Sequence, residues 1–206
     1  MNNDNVFSKE LLTLYKISQA IVRHKNVNSL LNEILDILDQ LMDAQRATLT
    51  LFYTSENALL IEASKGLSAT EIARGRYSLG EGITGEVALT KKSVIIEDVS
   101  LDPHFLDRTK TRKNADLAFI CVPIVKNNQL IGTISIDLNN DNKSKLAPAC
   151  QLIEIIANLL ADAVELIRHQ NEEKANLKAE NSRLLKELGN KFKPTNLIGN
   201  SGTMQK

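Results

Sequence analysis

The chain has 206 residues, 43% apolar and 24% charged, enough for one domain with a sizeable core and roughly 40 residues over. Its 25 Lys+Arg offset its 25 Asp+Glu, and neither half carries a long run of one sign, which argues against a nucleic acid or an anionic membrane as direct partner. Two cysteines, Cys121 and Cys150, are too few and too far apart for a zinc cluster, no basic-then-apolar leader opens the chain, and no apolar stretch approaches the ~20 residues that span a bilayer. A cytoplasmic protein in a reducing compartment is the expectation.

In chain order, Phe7, Leu11, Leu14 and Ile21 recur at helical spacing. A second run of Leu30, Leu31, Ile34, Leu38, Leu41 and Met42 follows Asn26 or Asn28 as N-cap. The period then falls toward two over 47–53 and 58–63, with the polar residues 54–57 between them, which predicts an antiparallel hairpin. A third strand is predicted at 94–96. The best-defined hairpin joins Phe119–Val125 to Leu130–Leu138 through Asn127-Asn128, since asparagine tolerates a positive φ better than most residues.

After Pro148 the pattern is helical through Leu188, too long for an ordinary globular helix. A 4-3 alternation from Ile156 places Leu160, Ile167, Lys174, Asn181 and Leu188 at heptad position a, and Ile156, Ala163, Gln170, Leu177 and Leu184 at d. The first half is expected to pack on the domain and the second to project from it. Leu160, Ile167, Lys174, Leu177, Asn181, Leu184 and Leu188 are thereby assigned to a seam between two parallel copies, Lys174 and Asn181 weakening it while favouring one register. The plainer alternative is a single solvated helix.

Gly80-Glu81-Gly82-Ile83-Thr84-Gly85 fits the dinucleotide spacing G-x-G-x-x-G, and Asp98 stands near where a ribose carboxylate belongs. The context opposes that reading. Arg74 to Ser78 is not a buried hydrophobic strand, and 86–90 allow barely two turns of helix. No phosphate-loop motif is present, and His24, His104 and His169 show no ligand spacing, so neither a catalytic residue nor a metal site is assigned. Cys121, within Phe119-Ile120-Cys121-Val122-Pro123, reads as a small buried hydrophobe, a redox sensor being the rarer alternative. Residues 102–113 hold four cations, Arg108, Lys110, Arg112 and Lys113, between two strands. They form either a solvated loop or a lid whose guanidinium groups grip a small anion.

Tyr77 to Val87, Ile96-Glu97-Asp98-Val99, Phe119 to Ile124 and Ile131 to Asp137 resemble the GAF domain family in order and spacing over roughly residues 8–170. Pro103 to Thr109, followed by Phe119 to Ile124, is similar to the sensor domain of NifA-like, nif-specific activators of transcription. Asn196 to Gln205 is similar to the opening of the AAA+ ATPase module of activators that work with the sigma-54 form of RNA polymerase. The resemblance implies a regulatory domain that controls its own downstream AAA+ ATPase. The implied inputs are a small anion such as 2-oxoglutarate and a P-II-type partner protein. The cyclic-nucleotide signature and the bilin cysteine of other GAF branches are missing, and the methionine sulfoxide reductase branch needs more cysteines than two.

These readings combine into an α+β fold with a central antiparallel sheet, the first, second and last helices on one face and a ligand pocket on the other. A sensor domain is expected over 1–164, a signalling coiled-coil helix over 165–190, and a linker with the start of an ATPase over 191–206. The expected pocket is lined by Phe105, Arg108, Arg112, Phe119, Cys121, Thr48 and Ser135. The alternative is a ligand-free dimerisation and protein-docking module.

Overall fold

The computed structural model describes residues 3–42, 44–102, 117–139 and 143–191. Helix α1 spans Asn3–Arg23 and α2 spans Val27–Met42. The Asn26 side chain accepts the Ser29 backbone N–H at 3.2 Å, which caps α2 and decides between the two candidate caps. Glu33 of α2 draws in both Arg23, at 3.0 Å, and His24, fixing the turn between the helices.

Six strands follow: β1 (Arg46–Tyr53), β2 (Ala58–Lys65), β3 (Arg76–Ser78), β4 (Val94–Ile96), β5 (Leu117–Lys126) and β6 (Gln129–Asn139). They form one antiparallel sheet in the order β3-β2-β1-β6-β5-β4. The Asn127-Asn128 turn has φ of 49° and 62°, the left-handed pair that a tight hairpin needs and asparagine tolerates. Two short helices, α3 (Ala69–Arg74) and α4 (Gly82–Thr90), connect the outer strands. Neither α3 nor β3 is anticipated by the periodicity. The α3 start is fixed instead by a local exchange in which the Ser68 N–H donates to Glu71 Oε2 at 2.7 Å.

The last helix, α5, spans Leu146–Lys191, with Pro148 in its first turn, where the missing N–H leaves no bond unmade. The chain divides into two compact units, 1–167 and 168–206. In the first, one sheet face is covered by Ile17 and Ala20 of α1, six residues of α2 from Leu30 to Leu38, and Ile153, Ile156, Leu160, Val164 and Ile167 of α5. Leu49, Ile120, Ile124, Ile134 and Ile136 meet them from the sheet. Leu160 and Ile167, assigned above to a seam between chains, are therefore enclosed by their own chain at 0% and 5% exposure. The heptad count detected an apolar stripe correctly, but the domain's own sheet covers its first half. In the second unit the helix is exposed from His169 to Leu188, with Leu177, Leu184 and Leu188 uncovered. Pairs four residues apart, Arg183–Glu187 at 3.5 Å and His169–Glu173 at 3.9 Å, lie along it.

Candidate functional site

The other sheet face is built by alternation. Side chains in a strand point alternately to the two faces, so the residues between those buried against α1, α2 and α5 all turn the opposite way. On β1 these are Arg46, Thr48 and Thr50, and on β6 Asp137, Ser135 and Thr133, and the register sets them directly opposite each other in pairs. Ser64 of β2 extends the row beyond Thr48, and Phe119 and Cys121 of β5 extend it beyond Asp137 and Ser135.

This row is hydrogen-bonded across the strands. The Thr50 and Thr133 hydroxyls share a bond of 2.8 Å, and the Thr133 N–H also donates to Thr50 Oγ1 at 3.2 Å, both residues being buried. Thr48 and Ser64 hydroxyls meet at 3.3 Å. At the end of the row Arg46 Nη1 stands 3.4 Å from Asp137 Oδ2, and the Asp137 side chain is only 2% exposed. Buried polar groups hold together when they satisfy one another, as the Thr50 and Thr133 hydroxyls do here.

Apolar clusters flank the row. Ile83, Val87, Ile96, Val99, Phe119 and Cys121 form one, and Leu59, Ile61, Tyr77 and Ala88 the other. Helix α4 supplies residues to both, so it lies over this face. Its approach depends on the glycine-rich turn: Gly80 and Gly82 take φ of 80° and 58°, and a Cβ on Gly85 would stand 2.2 Å from the Ser78 carbonyl oxygen. The Ser78 N–H donates to Glu81 Oε2 at 2.9 Å, closing the same turn. The glycines thus serve close packing between a three-residue strand and a nine-residue helix, which is not the strand-and-long-helix setting of a dinucleotide site.

Burial pushes the Cys121 thiol up to about 12, against the opposite pull of the Thr133 and Thr84 hydroxyls bonded to it. The thiolate is the reactive form, so Cys121 is expected to resist thiol reagents in the native state. Labelling should begin only on unfolding, and rapid modification of the folded chain followed by mass spectrometry would refute this. Because the folded state keeps the proton that the unfolded chain releases near pH 9, stability falls as pH rises from about 9 toward 12.

Of the residues expected from sequence, the fold brings Thr48, Ser135, Phe119 and Cys121 onto this face. Phe105, Arg108 and Arg112 lie outside the described residues. Sequence reading missed Arg46, Thr50, Thr84, Thr133 and Asp137, although polar residues at every second place within otherwise apolar strands were a usable signal. Among the described residues no cluster of three metal-ligating side chains occurs. Both cysteines are free and buried.

A GAF domain family profile matches residues 26–164. The chain belongs to the GAF domain family. This GAF domain is 38% identical over 195 residues to nitrogen fixation protein VnfA of Azotobacter vinelandii, a match covering 93% of the chain and 37% of VnfA. It is 38% identical over 199 residues to AnfA of the same organism, covering 96% and 37%. To a Nif-specific regulatory protein of Herbaspirillum seropedicae it is 31% identical, covering 98% and 38%. The chain thus spans less than two fifths of the length of these relatives. The fold is that of the A. aeolicus nlh2 GAF domain solved in an inactive state, with TM-score 0.69 and 24% identity over 78% of this chain and 98% of that one. The same fold occurs in free methionine-R-sulfoxide reductase of Neisseria meningitidis, with TM-score 0.65 and 17% identity over 79% and 93%.

Proposed function

We propose that this GAF domain is the sensor part of a NifA-like, sigma-54-dependent activator of transcription, and that it controls a downstream AAA+ ATPase in response to a small ligand or a P-II-type protein. The observation that carries the reading is the row of polar pairs that the strand register sets side by side, Arg46–Asp137, Thr48–Ser135 and Thr50–Thr133, in an otherwise apolar sheet face beneath α4. A face meant only to pack on α4 is served as well by aliphatic residues, whereas hydroxyls and a charge pair at fixed positions orient a polar ligand. Similarity to VnfA, AnfA and Nif-specific regulatory proteins supports a regulatory role tied to nitrogen fixation.

A ligand signals only through a difference in affinity between two states of the domain. The probe to use first is 2-oxoglutarate, which the family resemblance nominates and which Arg108 and Arg112 would hold together with Thr48 and Ser135. Titrated at millimolar concentration, it is expected to release or absorb heat and to raise the melting midpoint of the chain with concentration. Thr48→Ala and Ser135→Ala should each weaken binding by about 1 kcal/mol, one lost hydrogen bond, with little change in fold. The absence of both heat and thermal shift removes 2-oxoglutarate. If a panel of small anions and a P-II-type protein also leave the chain unchanged, the sensor reading gives way to a ligand-free dimerisation and docking module, which the uncovered Leu177, Leu184 and Leu188 favour. In either case two copies are taken to pair through α5.

A further inference from the structure

We propose that α4 and the part of α5 within the first unit move together, because two polar ties that start just past the end of α4 pass around the sheet and fasten α5 at two points. Helix α4 lies over the polar row and α5 over the opposite face, so the sheet itself stands between them. Side chains can connect the two helices only around the rim of the sheet or past the ends of its strands. Both routes are in use, and both begin within three residues of Thr90, the last of α4.

The short route rounds the β4 edge. Ser93, just ahead of β4, donates its hydroxyl to Glu154 Oε1 of α5 at 2.5 Å. The longer route passes the end of the β5–β6 hairpin. Lys91 Nζ donates to the Asn128 carbonyl oxygen at 2.5 Å and to Asn128 Oδ1 at 3.3 Å. Two residues back along the hairpin, Lys126 Nζ stands 2.8 Å from both Asp162 Oδ1 and Glu165 Oε2 of α5. Glu154 and Glu165 are eleven residues apart, so they point within about 20° of the same direction and lie about 16 Å apart along the helix. One tie leaves a helix free to pivot, whereas two ties about three turns apart fix both its position and its rotation.

The backbone of Lys91 supports the same role. It takes φ of 56° and donates its N–H to the Val87 carbonyl oxygen at 2.8 Å, ending α4 in the left-handed conformation that glycine usually fills. A side chain there carries strain that glycine would avoid, and the reach of its ammonium group to Asn128 offsets it. All these residues belong to the unit 1–167, and each bond is exposed enough to be weak alone. Their effect comes from convergence on the one short segment that follows α4. A tilt of α4 against the polar row drags Lys91 and Ser93, and with them α5 from Glu154 to Glu165. This is the route by which the sensing face proposed above reaches the last helix. The coupling belongs to the unliganded chain, so it stands or falls apart from the 2-oxoglutarate titration.

The test is hydrogen exchange of the unliganded 206-residue chain, read by mass spectrometry in α2, in α4 and over residues 150–167 of α5. With Lys91→Met and Ser93→Ala combined, both ties are cut at the α4 end, and residues 154–165 are expected to exchange about fivefold faster while α2 keeps its wild-type rate. Coupling is reciprocal, so Glu154→Met combined with Lys126→Met, cut from the other end, should speed exchange in 82–90. Lys91→Gly separates coupling from backbone strain: the positive φ is relieved, so the melting midpoint should hold or rise while α5 still loosens. Lys65→Met removes a comparable exposed pair, Lys65–Asp36 between β2 and α2, and should leave α4 and α5 at wild-type rates. Unchanged exchange in α5 of the first double variant overturns the proposal. So does an equal rise in α2 or in Lys65→Met, which would report a general loss of stability. If α5 loosens when α4 is cut free but α4 does not respond to cuts at α5, the contacts are local and the proposal falls.

Discussion

Asp137→Ala is expected to cost the domain about 4 kcal/mol, because removing one member of a buried ion pair leaves the other charge with too little compensation. The Asp137 side chain is 2% exposed and that of Arg46 13%, so water cannot take over the lost contact. The pair also joins β1 to β6, the two central strands of the sheet. Native domains are stable by only ~5–15 kcal/mol, so the variant should show a clearly lowered urea midpoint. Asp137→Asn, which keeps the shape and an acceptor oxygen, should lose about half as much. The informative comparison is a double-mutant cycle with Arg46→Met. If the two substitutions add without coupling, or if Asp137→Ala costs under 1 kcal/mol, the pair does not hold these strands together.

Gly132→Ala should cost about 3 kcal/mol although it adds a single methyl group. A Cβ built at this position stands 2.0 Å from the Thr50 carbonyl oxygen, 3.0 Å from the Thr50 carbonyl carbon and 3.1 Å from the Leu51 Cα. All three are backbone atoms, so no side chain can swing aside, and β1 and β6 must part beside the Thr50–Thr133 bond. Gly132 pairs with Leu51 in the β1–β6 ladder, and the β1–β2 and β5–β6 ladders each shift register nearby. For a domain of this size the melting midpoint should fall by about 10 °C. Gly80→Ala is the control: there a Cβ meets only Leu89 at 3.4 Å, and the expected loss of about 1 kcal/mol comes from the positive φ alone. Equal losses at the two glycines would show that the close approach of β1 and β6 is relieved by small backbone shifts.

The sequence was most legible where a local rule had no competitor. Asn127-Asn128 announces its hairpin because few residues accept two successive positive φ values, and the turn is found there. Elements of three to six residues, β3 and α3, are too short to display a period, and they are held by Ser68–Glu71 and by pairing to β2 instead. The α5 stripe shows a different limit. Periodicity reports that a helix face is apolar but not which surface covers it, so Leu160 and Ile167 looked identical to Leu177 and Leu188 until the sheet was seen to enclose the first pair. The polar row was missed for a related reason. Threonine and serine alternating with leucine and isoleucine are also what a solvent-facing strand looks like, and only the registers of β1 against β6 and of β6 against β5 bring Arg46, Thr50, Thr133 and Asp137 into one buried line.

The order of the strands also governs how this protein meets other chains through its backbone. Both outermost strands, β3 and β4, are three residues long, whereas the four inner strands run for eight to eleven. An open sheet edge offers unpaired N–H and C=O groups on which a foreign strand can nucleate, and here each edge presents only a few before the chain turns away. On the β3 side Arg76 is bonded to Glu56, placing charge along that rim. Among the described residues, β3 and β4 thus offer a long extended peptide only a three-residue template for strand addition, and accidental sheet-to-sheet polymerisation of a crowded or newly synthesised population is discouraged by the same economy of edge.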